Sequence, residues 1–234
     1  MATKLAVEDN ARSANPREVV VARCRIDEEH PDNDRFAAEC SAWFGHPIVE
    51  PRSEYGTSIY GVFEKRKYIA GVSGAPCTLH LKKQVREAFE RSGDIQVFGY
   101  TAEEAGRADR MLDANAHVRL LTPLIERGLT HADCLAMVER AGIELPVLYR
   151  MGYQHNNCVG CVKGGAGYWN KVRVDFPVAF ERMAVLEEKL GAQLIKLGTG
   201  RVSLRTLPPD AGRYADEPSV ECGIFCEAAE KEYQ

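Results

Sequence analysis

The chain has 234 residues, 45% hydrophobic and 27% charged, which fits one sizeable α/β domain or one domain with a small appendage. Its formal net charge of −4 argues against nucleic-acid binding driven by overall charge, although this value does not exclude a local basic patch. No apolar run approaches the ~18 residues of a membrane span, and the first residues lack a signal-peptide core. We therefore expect a cytoplasmic protein with no membrane partner.

Helices and strands alternate in the first part of the sequence. Residues 2–12 are compatible with a helix, and the apolar run "REVVVARCRI" (17–26) is typical of a buried parallel strand. A turn and an amphipathic helix ended by Gly45 come next, followed by a short strand candidate in "HPIVEP" (46–51). Residues 51–76 are predicted to be irregular apart from one helix.

The alternation continues with helix 76–93, strand 94–100, helix 101–115, strand 118–126, helix 130–143 and helix 175–191. Thr101 and Glu104 match a capping box at one helix start, and Thr130 and Gly142 are predicted to begin and end another. The tail from residue 198 is predicted to be mostly loop. This pattern predicts a doubly wound α/β fold, in which helices cover both faces of a parallel sheet.

The eight cysteines fall into two groups. A reducing cytoplasm gives little use for structural disulfides, so these thiols need another explanation. Cys24, Cys40 and Cys134 lie in apolar or helical stretches and are predicted to be small core residues. The other five lie near Gly, Pro or Asn, where ligands and reactive thiols are usually presented: Cys77, Cys158, Cys161, Cys222 and Cys226.

Two close cysteine pairs, Cys158-x-x-Cys161 and Cys222-x-x-x-Cys226, indicate a metal site. Cys77 stands at a predicted helix start, where the helix dipole favours a thiolate. Four thiolates from separate loops suit tetrahedral zinc or a cubane iron–sulfur cluster equally well in number. A redox dithiol is an alternative, although the first pair follows a polar loop and not a strand. Two buried small residues that are close by coincidence are the third interpretation.

A basic and aromatic run, "VKGGAGYWNK", follows the first cysteine pair. The backbone amides of Gly164, Gly165 and Gly167 could cradle an anion, and Lys163 and Lys171 could neutralise it. Trp169 or Tyr168 could stack on a nucleobase while the same lysines contact phosphates. The structural alternative is a solvated basic turn with Trp169 packed in the core.

Charged residues follow two of the predicted strands. Glu28 and His30 come after the first strand, at the edge where open α/β sheets bind ligands. Such side chains could contact a ribose, a metal or a proton in transit. Arg107 lies beyond the strand over 94–100 and could approach an anionic substrate. The structural alternative for the first group is an acidic cap on the following helix, made by Asp32 and Asp34. For the second it is an ion pair between Arg107 and Glu103.

The order of "PCTLHLK", "FGYTAEEAGRADR" and the stretch from "TPLIERG" to "CVGCVKGG" resembles the phosphoadenosine phosphosulfate (PAPS) reductase family, closest to its reductase-like branch in bacteriophages and mobile elements. The similarity spans about residues 15–226 and is most specific over 120–190. It implies an adenine-nucleotide α-hydrolase-like domain (1–195) and a C-terminal extension (196–234) that contributes cysteines to a metal site. Several family members carry a 4Fe–4S cluster, and the matching candidate ligands are Cys77, Cys158, Cys161 and one or both of Cys222 and Cys226.

One feature of the family is not found. The pyrophosphate-binding loop, SGG-K-D-S in form, should precede the first helix, and this sequence starts inside that helix. The backbone amides of that loop are the main phosphate contact in such folds. We therefore expect phosphate binding to be weakened or to depend on other residues.

The resemblance implies a protein that binds an adenine nucleotide or sulfonucleotide and performs sulfur or phosphosulfate chemistry with a 4Fe–4S cluster. Glu28, His30 and Arg107 are the candidate catalytic residues. Lys163, Gly164, Gly165, Trp169 and Lys171 are the candidate substrate contacts. The alternative on the same scaffold is a protein with zinc in place of the cluster, either non-catalytic or directed at DNA or RNA modification as a phage accessory factor. The sequence does not decide the oligomeric state, and a homodimer is one of the alternatives.

Overall fold

Helices and short strands alternate in the computed structural model, which describes residues 1–70 and 74–217. These residues form a mixed α/β structure with small sheets. The helices are α1 (Ala2–Arg12), α2 (Asp32–Phe44), α3 (Ile59–Arg66), α4 (Pro76–Thr78), α5 (Gln84–Phe89), α6 (Ala105–Ala114), α7 (His131–Arg140), α8 (Val147–Arg150), α9 (Ala166–Asp175) and α10 (Pro177–Leu190). The strands are β1 (Val21–Ala22), β2 (Ile48–Val49), β3 (Ile95–Val97), β4 (Arg119–Leu121), β5 (Ile195–Leu197) and β6 (Gly200–Val202).

The chain divides into two compact units. Unit one comprises residues 1–23, 31–50 and 89–151, and unit two comprises residues 24–30, 51–88 and 152 onward. The predicted boundary between a domain over residues 1–195 and an extension over 196–234 stays a prediction. No helix in the described part of the chain is long and apolar enough to cross a membrane.

Unit one contains two separate parallel strand pairs. Val21 of β1 lies opposite Ile48 of β2, and Ile95 of β3 lies opposite Arg119 of β4. The parallel pairing follows the prediction, but the single doubly wound sheet expected from the alternation is not formed by the described residues. The apolar run over 17–26 pairs only at Val21 and Ala22, and the side chain of Val20 is 50% exposed. The described residues therefore support the coarser description of a mixed α/β structure.

Local sequence signals place the helix ends of unit one as predicted. The Thr101 and Glu104 side chains form the expected capping box, although the first turn after it is a 3-10 turn that continues into α6. Thr130 caps α7 by accepting the backbone N–H of Asp133 at 3.1 Å, and the hydrogen bonds that Thr130 returns lower the pKa of Asp133. Gly142, with φ of 76°, follows the end of α7.

Unit two is built around α9 and α10, which pack against each other, and α9 also packs against β5. The α10 helix was predicted, whereas α9 and the antiparallel β5–β6 hairpin fall in stretches predicted to be glycine-rich loop and tail. The largest buried side chains of this core include Phe63, Trp169, Met183 and Ile195. A π-helical turn over Leu79–Lys83 joins α4 to α5, so the helix predicted over 76–93 runs without a break only from Pro76 to Phe89 and is not regular.

A buried carboxylate fixes the hairpin of unit two to α10. Glu187 is fully buried, and its two carboxylate oxygens accept the backbone N–H groups of Leu194 at 2.7 Å and Leu204 at 2.6 Å. Burial raises the pKa of Glu187 above its ordinary value of 4.5. The two hydrogen bonds satisfy a group whose burial would otherwise be costly.

We predict that Glu187→Gln destabilises the protein, because the amide NH2 would face a backbone N–H and one of the two bonds would be lost. The free energy of unfolding in urea should fall by about 1–3 kcal/mol, the cost of leaving a buried polar group unpaired. The folded state of the natural chain holds the Glu187 proton more tightly than the unfolded state. Its stability should therefore fall as pH rises from 4.5 toward the raised pKa, and the variant should lack that slope.

Glu188→Gln is the matched control. Glu188 is its exposed neighbour and pairs with Arg205 at 3.1 Å. Loss of the ion pair between Glu188 and Arg205 should change the free energy of unfolding by less than about 0.5 kcal/mol. Equal effects of the two substitutions would contradict the structural role given to Glu187.

Candidate metal centre

The loop that carries the first cysteine pair is organised around the hydroxyl of Tyr168. This oxygen accepts the backbone N–H groups of Gly160 and Cys161, both at 2.9 Å, and donates to the carbonyl of Cys158 at 3.1 Å. Cys158 and Cys161 are each only 7% exposed. The glycine-rich run follows the cysteines in the sequence and leads into α9, and Tyr168 lies in the first turn of that helix. Its hydroxyl fixes the backbone of both cysteines at once.

Aromatic rings enclose Tyr168 on several sides. The rings of His155, Trp169 and Tyr214 lie with centroids 5.9, 5.8 and 6.2 Å from its own. Burial is the main cause that raises the pKa of Tyr168 well above 10, so the phenol stays protonated and can donate to the Cys158 carbonyl. A Cβ at Gly164 would lie 2.0 Å from the ring of Tyr168, so only glycine allows this close approach.

Glu28 lies beside the cysteine loop but serves the backbone there. Its carboxylate accepts Ser58 Oγ at 2.6 Å and the backbone N–H of Ile59 at 2.9 Å, and so caps the start of α3. Its own carbonyl accepts the N–H of Val159 at 2.8 Å, and Arg182 Nη1 lies 3.4 Å from its carboxylate. The structure thus gives Glu28 a capping role at α3, which the sequence had not indicated.

The predicted anion cradle is filled by a carboxylate of the chain itself. Glu217 accepts the backbone N–H of Gly165 at 2.9 Å and that of Gly167 at 2.7 Å, at the N-terminus of α9. Nearby, Tyr214 accepts the N–H of Gln154 at 2.7 Å through its hydroxyl. We call these contacts of Tyr214 and Glu217 the C-terminal clamp. Gly164 contributes its N–H to the carbonyl of Cys161 at 3.0 Å instead of to an anion.

The other predicted substrate contacts take structural positions. Trp169 is fully buried against Phe180, so a nucleobase could stack on it only if the surrounding chain moved. Lys171 pairs with Asp175 at 2.9 Å and lies over the ring of Tyr153 at 4.6 Å. Lys163 is half-buried in the loop between the cysteines and α9.

The three candidate catalytic residues lie in two units. Glu28 and His30 belong to unit two, where the His30 ring packs edge-on against Phe176 at 6.0 Å. Arg107 belongs to unit one. It pairs with Glu104 instead of the expected Glu103, and its guanidinium lies over the Tyr100 ring.

The predicted metal ligands are described only in part. Cys77 is half-buried in the short helix α4 of unit two, and Cys222 and Cys226 lie outside the described residues. Within residues 1–70 and 74–217, no three His, Cys, Asp or Glu side chains are grouped so as to hold a metal ion. The three cysteines predicted to be core residues are half-buried, and burial raises the thiol pKa of each: Cys24, Cys40 and Cys134.

His155, in the same loop, was not among the site residues predicted from the sequence. His155 is 9% exposed, and neither ring nitrogen has a hydrogen-bond partner among the described residues. Burial lowers its pKa, so the ring is held neutral. Its spacing, His155-x-x-Cys158-x-x-Cys161, is the signal that could have identified it. Two buried thiols with a fixed backbone and a neutral imidazole are donor types that suit zinc or an iron–sulfur cluster.

Comparisons of the chain with protein-family models, with curated proteins and with solved structures give no match.

We predict that Tyr168→Phe loosens the cysteine loop, because three buried polar groups lose their common partner. The free energy of unfolding should fall by about 1–3 kcal/mol, and the amides of Gly160 and Cys161 should exchange their hydrogens faster. Tyr153→Phe is the control within the same aromatic cluster, since its hydroxyl donates only to Asp175, at 3.0 Å. Unchanged exchange at the two amides in Tyr168→Phe would contradict this account.

Proposed function

We propose that this chain is a sulfonucleotide-reductase-like protein of the cytoplasm. In this proposal it binds an adenine nucleotide or sulfonucleotide and performs sulfur or phosphosulfate chemistry with a 4Fe–4S cluster. The cluster is held by Cys158 and Cys161 together with cysteines of the C-terminal extension. The two parallel pairs of unit one would belong to a larger doubly wound sheet of the adenine-nucleotide α-hydrolase type. The resemblance of the sequence motifs motivates the proposal, as an association and not a physical proof.

The C-terminal clamp is the observation that carries the metal site. Glu217 is held at Gly165 and Gly167, only a few residues beyond Cys161 in the chain. Cys222 follows Glu217 by five residues, and an extended chain spans at most about 3.6 Å per residue, or ~18 Å in all. The clamp therefore limits Cys222 to about that distance from Glu217, whereas Cys226, nine residues beyond Glu217, has ~32 Å of chain. Ligands from two distant segments of sequence are typical of thiolate metal sites.

The residues of the loop have separable roles in this proposal. When bound, the cluster supplies thiolate-ligated iron for electron transfer or electrostatic stabilisation. Tyr168 sets the backbone from which both thiols are presented, and its enclosure by aromatic rings keeps water away from them. Glu217 already occupies the backbone amides of Gly165 and Gly167, so these amides are not available to an anionic substrate. In this proposal Lys163 and Lys171, which lie close to the cysteine pair in the sequence, contact the substrate instead.

The nucleic-acid alternative has lost its main support. It depended on an aromatic platform, and Trp169 and Tyr168 are 0% and 2% exposed. A non-catalytic zinc protein keeps the same ligands and is separated from the leading proposal by metal analysis.

We expect the natural chain, purified without oxygen, to be brown and to contain iron and acid-labile sulfide. Cys158→Ser and Cys161→Ser should abolish both the colour and the iron, and should lower thermal stability, because metal binding couples to folding. Cys40→Ser, a half-buried thiol in α2, is the control and should keep the cluster. Sulfite release from adenosine phosphosulfates, supplied with a thiol reductant, then tests the reaction.

Two results would count against this reading. A colourless chain with stoichiometric zinc would reject the iron–sulfur assignment and favour the non-catalytic alternative. A chain that binds neither iron nor zinc, or whose cysteine variants retain the metal, would reject the metal site altogether.

We also predict that Glu217→Gln reduces metal content, because the amide NH2 would face a backbone N–H and weaken the clamp by about 1.5–3 kcal/mol, the value of a hydrogen bond to a charged group. Iron or zinc per chain after gel filtration measures the effect. Asp216→Asn is the matched control, since Asp216 is mostly exposed and contacts Arg213 at 3.6 Å. Equal metal content in the two variants would show that the clamp does not serve the metal site.

A further inference from the structure

We infer that Arg182 and Tyr60 of unit two form a binding site for an oxyanion, a sulfate or phosphate group, beside the cysteine loop. The inference rests on the proposed function for its role, since it gives the anionic group of the substrate a place that the filled glycine cradle does not. Arg182 Cζ lies 3.6 Å from the centre of the Tyr60 ring, and its side chain is 56% exposed. Stacking fixes the plane of the guanidinium while its N–H donors stay open to solvent.

Glu28 orients this guanidinium without using most of its donors. Arg182 Nη1 lies 3.4 Å from Glu28 Oε1, which is long for a charge-assisted hydrogen bond, usually about 2.7–2.9 Å. The same carboxylate has closer donors at the start of α3, Ser58 Oγ at 2.6 Å and the backbone N–H of Ile59 at 2.9 Å. Its negative charge is therefore met mainly by α3, and the remaining N–H groups of Arg182 can bind a second anion.

The hydroxyl of Tyr60 is the second donor of the site. Tyr60 is only 6% exposed, yet its hydroxyl has no hydrogen-bond partner in the part of the chain that the structure describes. Burial raises the pKa of Tyr60 to about 12, so the group keeps its proton at neutral pH and can donate a hydrogen bond. The charge of Arg182 opposes this rise, and the charges of Glu28 and Cys158 add to it.

The site adjoins the first cysteine pair through the backbone of Glu28. The carbonyl of Glu28 accepts the N–H of Val159 at 2.8 Å, and Val159 follows Cys158 directly in the sequence. The residue whose carboxylate orients Arg182 therefore also binds the cysteine loop. An oxyanion held by Arg182 and Tyr60 lies next to the loop from which Cys158 is presented.

The other cations on α9 and α10 have closer partners within the described part of the chain. Lys171 and Lys189 each pair with a carboxylate, at 2.9 and 2.6 Å. Arg173 donates to two backbone carbonyls, at 2.9 and 3.1 Å. Arg182 is thus the cation of these two helices whose donors the chain itself occupies least.

The test is a titration of the full chain with inorganic sulfate at constant ionic strength, followed by NMR of the arginine Nε–H groups and the backbone amides. In the natural chain the Arg182 Nε–H signal should shift and saturate. Arg182→Gln should weaken sulfate binding at least about tenfold, the value of a hydrogen bond to a charged group. Tyr60→Phe keeps the stacked ring and loses only the hydroxyl, so it should weaken binding about three- to tenfold.

Lys189→Gln is the matched control, because it removes one positive charge from the same helix. At constant ionic strength it should change the sulfate affinity by less than about twofold. Sulfate binding that Arg182→Gln and Tyr60→Phe leave unchanged, or that Lys189→Gln weakens as much, would show that the inference is wrong. So would the absence of saturable sulfate binding by the natural chain.

Two further probes identify the group that the site takes. Adenosine phosphosulfate and adenosine monophosphate are each titrated into the natural chain and into Arg182→Gln. Weaker binding of the phosphosulfate alone would place its sulfate group at Arg182, and equal weakening of both would place the nucleotide phosphate there. If the substitution weakens neither, the site does not serve the substrate and the inference is wrong.

The inference and the proposed function can fail separately. Sulfite release that is the same in Arg182→Gln as in the natural chain would overturn this site and leave the reductase proposal standing. Sulfate binding at Arg182 by a chain that releases no sulfite would support the oxyanion site and reject the reductase proposal.

Discussion

The hydroxyl of Tyr168 binds three backbone groups of the cysteine loop in a region from which water is largely excluded. A buried phenol can accept two hydrogen bonds and donate one, and here all three are made, to Gly160, Cys161 and Cys158. Because an unpaired group at this depth would be costly, each bond constrains the others. The backbone positions of both cysteines therefore depend on this one oxygen.

The N-terminus of α9 illustrates how one electrostatic feature can serve two purposes. Its glycine amides attract negative charge, as the sequence indicated, but the negative charge comes from Glu217, about fifty residues later. The interaction holds the chain just before the C-terminal cysteines against the loop of the first pair. A predicted substrate contact is thus a folding contact.

Local signals predicted the local structure well. The capping residues Thr101 and Thr130 act within three residues of their partners, so composition and spacing were sufficient to place them. The α9 helix was missed because its start depends on Glu217, a contact that no local pattern reveals. For the same reason the sequence identified Cys158 and Cys161 as a pair of potential ligands but did not indicate that Tyr168 fixes their backbone. The described residues form two short parallel pairs in place of the predicted sheet, because an apolar run predicts burial without stating which strand covers it.

The π-helical turn over Leu79–Lys83 has a consequence for Cys77, which lies just before it. An α-helix advances by about 100° per residue, so the extra residue of a π turn rotates everything before it by about that angle relative to α5. A chain shorter by one residue in this turn could form a regular helix over the same span. Its thiol at position 77 would then face a different side of the helix. The length of the turn, as much as the cysteine itself, sets the direction in which this thiol is presented.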